Sequence, residues 1–279
     1  MGQPKNIPLV YALTAVVLWS TVATAFKITL EHASVMQMVF WASLTSSLAL
    51  FALMLFQRKL KPLKTNPWKN IRQSFLPGLI NPFLYYLVLF AAYDRLPAQV
   101  AQPVNYLRPI FFSMLAIPFM NQKFKWGDSL AMLVSYLGVV VLVMGKQNGQ
   151  QGINFTGILL ALASALIWAA YWAINLKDKR GPLLGLFFNF IIETIAAGIF
   201  LLFQKQSFIL DLNGFAGSFY IGLFEMGLTF FIWRKALSAS SRPANLSFII
   251  YLTPFLSLFF IRFKLQETIP LSTYLGLLF

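Results

Sequence analysis

The chain has 279 residues, of which 58% are hydrophobic and 11% charged, with 29 Phe, no Cys and a net charge of +14. Soluble domains carry about 25% charged residues, so this composition excludes an ordinary soluble globular protein and indicates a polytopic membrane protein. The basic surplus sits in short connectors between apolar runs, which reads as a membrane-orientation signal and not as a nucleic-acid surface. The absence of cysteine leaves neither a disulfide framework nor thiolate chemistry.

Spans of about 20 residues fall at 8–26, 35–56, 75–93, 98–120 and 129–145. After a polar linker at 146–154 they resume at 155–176, 183–203, 215–233, 244–261 and from 270 onward. The fold class is therefore all-α and integral to the membrane, with ten transmembrane helices. The last run holds about ten residues, a helical rise of about 15 Å, and is expected to be incomplete. Lys5, the apolar run after it and Ala23-Thr24-Ala25 have the outline of a cleavable signal peptide. The segment from Ala12-Leu13 to Trp19 recurs, however, from Ala161-Leu162 to Trp168, so the first span is expected to be retained.

Most Lys and Arg lie on the N-terminal side of the membrane. The richest connector, 57–73, holds Arg58, Lys59, Lys61, Lys64, Lys69 and Arg72. By the positive-inside rule the N-terminus is cytoplasmic.

The span at 98–120 is the least apolar. It carries Gln99, Gln102, Asn105, Tyr106 and Arg108, and polar groups at that depth face a protein-lined cavity. As one helix it would bring Gln102, Asn105 and Pro109 to a common face, with Arg108 beside them. Tyr106-Leu107-Arg108-Pro109 recurs as Tyr251-Leu252-Thr253-Pro254; Gly78 matches Gly222, Ala92 matches Ala236 and Pro109 matches Pro254. The chain thus reads as two units, 8–145 and 155–279, joined by 146–154. Each holds five spans, an odd number, so the second enters the membrane inverted, an arrangement found in secondary transporters with a midplane site. The competing reading is that duplication merely enlarged a helical bundle. Pro103, Pro109, Pro118 and Pro254 are expected bending points.

Glu225 stands at the middle of a span, where a carboxylate costs at least ~2.5 kcal/mol. Its counterpart in the other unit is Asn81. Glu225 either binds a substrate ammonium, takes up a coupling proton, or is a structural group. Arg108 cannot discharge, so it either pairs with Glu225 or receives a substrate carboxylate through a bidentate contact. Glu193, with Asn189 a turn before it, reads as a structural polar contact. Trp19, Trp168, Tyr171, Trp172, Tyr85, Tyr86, Tyr106 and Tyr251 are candidates for an aromatic pocket, or for interfacial belts; Trp41, Trp68 and Trp126 read as belt or loop. An enzyme is not expected: His32 is the sole histidine, there is no phosphate-binding loop, and the serines at 238–241 lack a histidine partner. No metal or other cofactor is called for.

The strings Leu18-Trp19-Ser20-Thr21, Val104-Asn105-Tyr106-Leu107 followed by Pro109, Asn121-Gln122-Lys123 and Ile167-Trp168-Ala169-Ala170-Tyr171 resemble the drug/metabolite transporter superfamily. Within it they resemble the ten-span EamA-type permeases, and most of all the aromatic amino-acid exporter (YddG-like) branch. The resemblance implies two EamA repeats around a central cavity and export of aromatic amino acids or flat organic compounds. Arg108 departs from that branch. The function expected is a secondary transporter of the inner membrane that exports small amphipathic metabolites by alternating access, with a small-molecule substrate, the lipid bilayer and protons as partners, as a monomer or homodimer. The alternatives are multidrug or organic-cation efflux, and a non-transporting assembly or lipid-handling protein.

Overall fold

The structure, a computed structural model, describes residues 7–120, 154–266 and 271–278, with positions 134, 137 and 269. The span expected at 129–145 and nearly all of the linker lie outside the described residues.

Regular structure among the described residues is helical throughout. In chain order the elements are α1 (Ile7–Ser20), α2 (Val22–Leu30), α3 (Val35–Phe56), α4 (Lys61–Thr65), α5 (Pro67–Gly78), a π-helical segment Leu79–Leu84, α6 (Tyr85–Arg95), α7 (Ala98–Asn105) and α8 (Arg108–Met120). The second part holds α9 (Phe155–Leu176), α10 (Pro182–Phe203), α11 (Leu212–Ile221), a π-helical segment Gly222–Gly227, α12 (Leu228–Ala239), α13 (Pro243–Ser247), a 3-10 turn Phe248–Tyr251, α14 (Leu252–Phe260), a π-helical turn Ile261–Leu265 and α15 (Leu271–Leu278). Among the described residues, seven helical runs are long and apolar enough to cross a bilayer: Ile7–Leu30, Val35–Phe56, Pro67–Arg95, Phe155–Leu176, Pro182–Phe203, Leu212–Ala239 and Pro243–Leu265.

Short polar residues set where the long helices start. Ser34 and Gln37 form a reciprocal capping box at the head of α3, Asn154 accepts from the Gly157 amide at 3.0 Å, and Asp211 accepts from the Gly214 amide at 2.7 Å. Each such cap contributes about 1 kcal/mol by satisfying an otherwise orphaned N–H. Outward-facing Leu48, Leu55, Phe56, Leu202 and Phe203 are exposed, as lipid-facing positions of a span must be.

The tightest packings join helices of the first part to helices of the second: α3 with α10, α6 with α9, and α1 with α12. α5 and α10 run side by side in the same direction. Arg180 donates to the Asn70 carbonyl at 2.8 Å, Gly78 sits against Asn189 and Ile192, and the Phe83 and Phe200 rings lie 6.3 Å apart. Gly78 is required there, because a Cβ would stand 2.7 Å from the Asn189 carbonyl oxygen. Gly222 is required for the same reason against α3, where a Cβ would stand 2.5 Å from the Ala42 carbonyl oxygen.

Three expectations change. The run at 98–120 is not one helix: a turn at Tyr106-Leu107 separates α7 from α8, because Pro109 has no N–H to give the Asn105 carbonyl and its ring crowds that carbonyl. The shared face expected for Gln102, Asn105 and Pro109 therefore does not form. The basic connector at 57–73 is largely helical, as α4 and the start of α5. Arg234, just past the span expected at 215–233, is buried in α12 and is not a connector charge. The helical path breaks at the 106–107 turn and kinks at Asn81 in the Leu79–Leu84 segment, while Pro103 sits inside α7 without breaking it.

Candidate functional site

The break between α7 and α8 puts Arg108 at the head of α8, where its side chain lies buried among rings. Its guanidinium carbon is 4.0 Å from the Tyr106 ring centroid, 4.7 Å from that of Trp168 on α9 and 5.6 Å from that of Trp19 on α1. One Nη donates to the Tyr85 hydroxyl at 3.2 Å, while Nε has no acceptor. Tyr85 in turn donates to Asn105 Oδ1 at 3.3 Å, and the Asn105 amide donates to Ser164 Oγ at 2.7 Å. Asn105 and Arg108, on either side of the 106–107 turn, thus meet at one tyrosine hydroxyl.

Glu225 occupies the π segment before α12, where the widened turn carries its side chain into the bundle. It accepts from the Tyr86 hydroxyl at 2.9 Å, and its backbone carbonyl accepts from the Trp19 indole at 3.1 Å. The ion pairs among the described residues are His32–Asp211, Arg95–Asp94 and Arg180–Asp178; Arg108 and Glu225 do not touch. The Tyr85 and Tyr86 rings stand between them in an edge-to-face pair 4.7 Å apart. A buried cation and a buried carboxylate are thus held apart by neutral hydroxyls.

Around this pair is an aromatic box. Trp19 lies 6.4 Å from Trp168 and 5.3 Å from Trp233, and Trp172 lies 5.7 Å from Trp168 and 5.4 Å from Phe230. The indole N–H groups of Trp168, Trp172 and Trp233 are buried without an acceptor. Native interiors satisfy about 90% or more of such groups, so three orphan donors beside the free Nε of Arg108 mark a place built to meet acceptor atoms. Every side chain of the box is buried, and the site is occluded in this conformation.

Of the residues expected to line a pocket, the structure brings Trp19, Tyr85, Asn105, Tyr106, Arg108, Trp168 and Glu225 together. Gln102 turns instead to α14 and accepts from the Ser257 hydroxyl. Tyr171 joins the box by its ring, 5.2 Å from Trp172, but its hydroxyl accepts from Asn175 and Asn189, each at 3.0 Å. Asn81 is fully buried in the π segment after α5, without a hydrogen-bond partner, and Tyr251 is half-buried in the 3-10 turn with its ring beside Phe248. Trp233, Phe230 and Ser164 were not foreseen. Phe230 and Trp233 stand one turn apart on the same face of α12, a spacing that points both into the bundle.

A cleft of about 590 Å³ opens at one end of the bundle, lined by Lys69, Asn70, Asn175, Lys177, Asp178 and Arg180 among others. Asp178 and Arg180 form its ion pair at 2.7 Å, and Arg180 also donates to Ser74 Oγ at 2.8 Å. Burial alone would raise the Asp178 carboxyl, but the hydrogen bonds and charge of Arg180 outweigh it and hold Asp178 below the usual carboxylate range.

The profile of the EamA-like transporter family matches residues 6–144 and 155–279. An uncharacterized transporter of Archaeoglobus fulgidus is 25% identical over 96% of this chain and 93% of its own length. The uncharacterized inner membrane transporter YhbE of Escherichia coli K12 is 24% identical over 93% of this chain and 82% of its own. A protein crystal structure with a TM-score of 0.77 and 19% identity, covering 98% of this chain and 93% of that one, shares the fold.

Proposed function

The chain belongs to the EamA-like transporter family and is a multi-pass membrane transporter; on that premise we propose that it exports small zwitterionic, amphipathic metabolites, with aromatic amino acids as the leading class, by alternating access across the inner membrane. In this reading ten helices form two inverted five-helix units, the N-terminus is cytoplasmic, and the halves rock about the midplane site. The observation that carries the proposal is the separation of Arg108 from Glu225 by the Tyr85–Tyr86 pair inside a box of orphan indole donors.

The roles follow from the chemistry of each group. The Nε and a second N–H of Arg108 offer the two parallel donors that a carboxylate takes, with the indole N–H groups adding a further donor. Glu225 takes the substrate ammonium, and Trp19, Trp168 and Tyr106 stack on the side chain. A proton and an ammonium compete for Glu225, which makes it the coupling group: loading substrate releases the proton. Two opposite charges fit a zwitterion better than an organic cation, which would leave Arg108 unanswered.

The test is flux. Proteoliposomes holding the purified protein are expected to exchange labelled phenylalanine or tryptophan saturably, and Arg108→Ala or Glu225→Gln is expected to abolish it. Flux of dicationic drugs alone, lost only with Glu225→Gln, overturns the zwitterion reading in favour of multidrug efflux. A wild type that neither binds nor moves any of these overturns transport of this class.

A further inference from the structure

A second carboxylate lies in the bundle outside the site just described. Glu193 on α10 is 0% exposed, and neither of its oxygens has a hydrogen-bond partner. A buried ionised carboxylate without a donor or counter-charge costs several kcal/mol or more, so such a group takes up a proton or a cation. The groups around it decide which. Asn189, one turn before Glu193 on α10, spends its amide on the Tyr171 hydroxyl and leaves Oδ1 free. Asn175 on α9 does the same from the other side. The register of α5 on α10, with Gly78 at Asn189 and Phe83 at Phe200, sets Asn81 level with the turn that carries Glu193, and Asn81 Oδ1 is also free. The neighbourhood is therefore rich in unmatched acceptors. Its unmatched acceptors outnumber the unmatched donor it holds, the Asn81 amide nitrogen, and a protonated carboxyl supplies another donor.

The same residues lead outward. Asn175 lines the 590 Å³ cleft and bonds to Tyr171, Tyr171 bonds to Asn189, and Glu193 follows a turn later. This is a buried polar column that runs from the cleft to Asn189, one turn short of the carboxylate. Few other titratable groups intrude. α3 and the π segment after α5 bring none, and α5 has Lys69 and Arg72 only in its first half. α9 brings Tyr171 and α6 brings Tyr86, both within electrostatic range of Glu193, and α12 brings Arg234, which donates to the Asp178 carbonyl and lies in range of Tyr171. Tyr86 is the residue whose hydroxyl donates to Glu225, so it stands between the two carboxylates.

We propose that Glu193 is a second proton-carrying site, loaded from the cleft along the Asn175–Tyr171–Asn189 column and separate from the Arg108–Glu225 substrate site. The step is simple: a proton from cleft water bonds to a Glu193 oxygen, and the resulting O–H donates to a free amide oxygen of Asn189 or Asn81. The assignment of the cleft to the cytoplasmic side rests on the orientation proposed above; the protonation site itself does not.

The test uses the full chain in nanodiscs, followed by infrared difference spectroscopy across pH 5 to 9 with wild type, Glu193→Gln and Glu225→Gln. Two protonated, buried carboxyl absorptions are expected in wild type, one from Glu225 and one from Glu193; Glu225→Gln is expected to keep the Glu193 absorption and Glu193→Gln to lose it while keeping that of Glu225. Because glutamine matches the neutral acid in shape, Glu193→Gln is expected to fold and to keep any substrate-induced thermal shift, which Glu225→Gln loses. Its own thermal stability is expected to fall less than that of wild type as pH rises across this range, because Glu225 still titrates in it. Absence of any buried carboxyl absorption from Glu225→Gln, or its loss from Glu225→Gln with no change in Glu193→Gln, overturns the proposal. Stabilisation of wild type by Na⁺ at constant ionic strength, abolished by Glu193→Gln, overturns it in favour of a metal cation. Loss of substrate binding in wild type would sink the transport reading while leaving the infrared result to stand alone.

Discussion

Replacing Arg108 by methionine separates a structural arginine from one held for cargo. The apolar stem survives and the charge is removed. In the ligand-free protein the guanidinium meets three rings, the nearest two at 4.0 and 4.7 Å, and donates to the neutral Tyr85 hydroxyl. Desolvated cation–π contacts are worth about 2 kcal/mol each, and a hydrogen bond from a charged donor about 1.5–3 kcal/mol. Those gains total roughly 6 kcal/mol, against an effective desolvation penalty of several kcal/mol for a buried ion. The two nearly cancel, so Arg108→Met is expected to shift ligand-free stability by no more than about 2 kcal/mol in either direction. Binding behaves differently. A bidentate carboxylate contact is two charge-assisted hydrogen bonds, and losing about 3 kcal/mol of that interaction corresponds to a roughly 100-fold weaker Kd. Thermal unfolding of wild type and variant, with and without aromatic amino acid, measures both quantities in one experiment. Loss of more than about 4 kcal/mol from the ligand-free variant, or wild-type affinity in it, would refute the assignment of Arg108 to the cargo.

Three further outcomes follow from the packing and the caps. Gly78→Ala sets a Cβ 2.7 Å from the Asn189 carbonyl oxygen; overpacking of this kind costs about 1–3 kcal/mol, and thermal denaturation should register it as an apparent Tm lower by several degrees. Ser34→Ala removes the side-chain half of the capping box on α3, with an expected cost of about 1 kcal/mol, readable in the same assay and smaller than the effect at Gly78. Asp178 is held below the usual carboxylate range by Arg180. The stability it contributes is therefore present above its unfolded value and lost as pH falls through the lower folded one. Acid titration of the melting temperature should show a step below about pH 4 that Asp178→Asn removes; an unchanged step in that variant would show that the ion pair at the cleft does not carry it.

Trp19 and Trp168 were legible in the sequence because they occupy matched positions in the two halves, and Arg108 and Glu225 because a charge within an apolar span is conspicuous. The seven long apolar runs were legible for the same reason, although their ends were not. Pro67–Gly78 is a helical extension whose polar residues resemble a connector, and Arg234 lies inside α12 although it neighbours Lys235 in the sequence. Trp233 and Phe230 carry no charge or repeat match to single them out; only the crossing of α12 over α1 turns their face toward Trp19. Gln102 has the right chemistry for the site, but the hydroxyl of Ser257 on α14 takes up its amide oxygen.

Hydrophobicity, charge placement and internal matches, all properties summed along the chain, were enough to determine that this protein spans a membrane many times in a helical fold with polar groups at depth. Which polar groups meet was decided in three dimensions. Arg108 and Asn105, on either side of a helix break, meet at Tyr85, and Glu225 in a π turn meets Tyr86. The packing of α10 on α5 encloses Glu193 among acceptors. A sequence records that a charge must be answered inside a membrane, but the answering group is chosen by helix rotation and register, which depend on contacts between residues far apart in the chain.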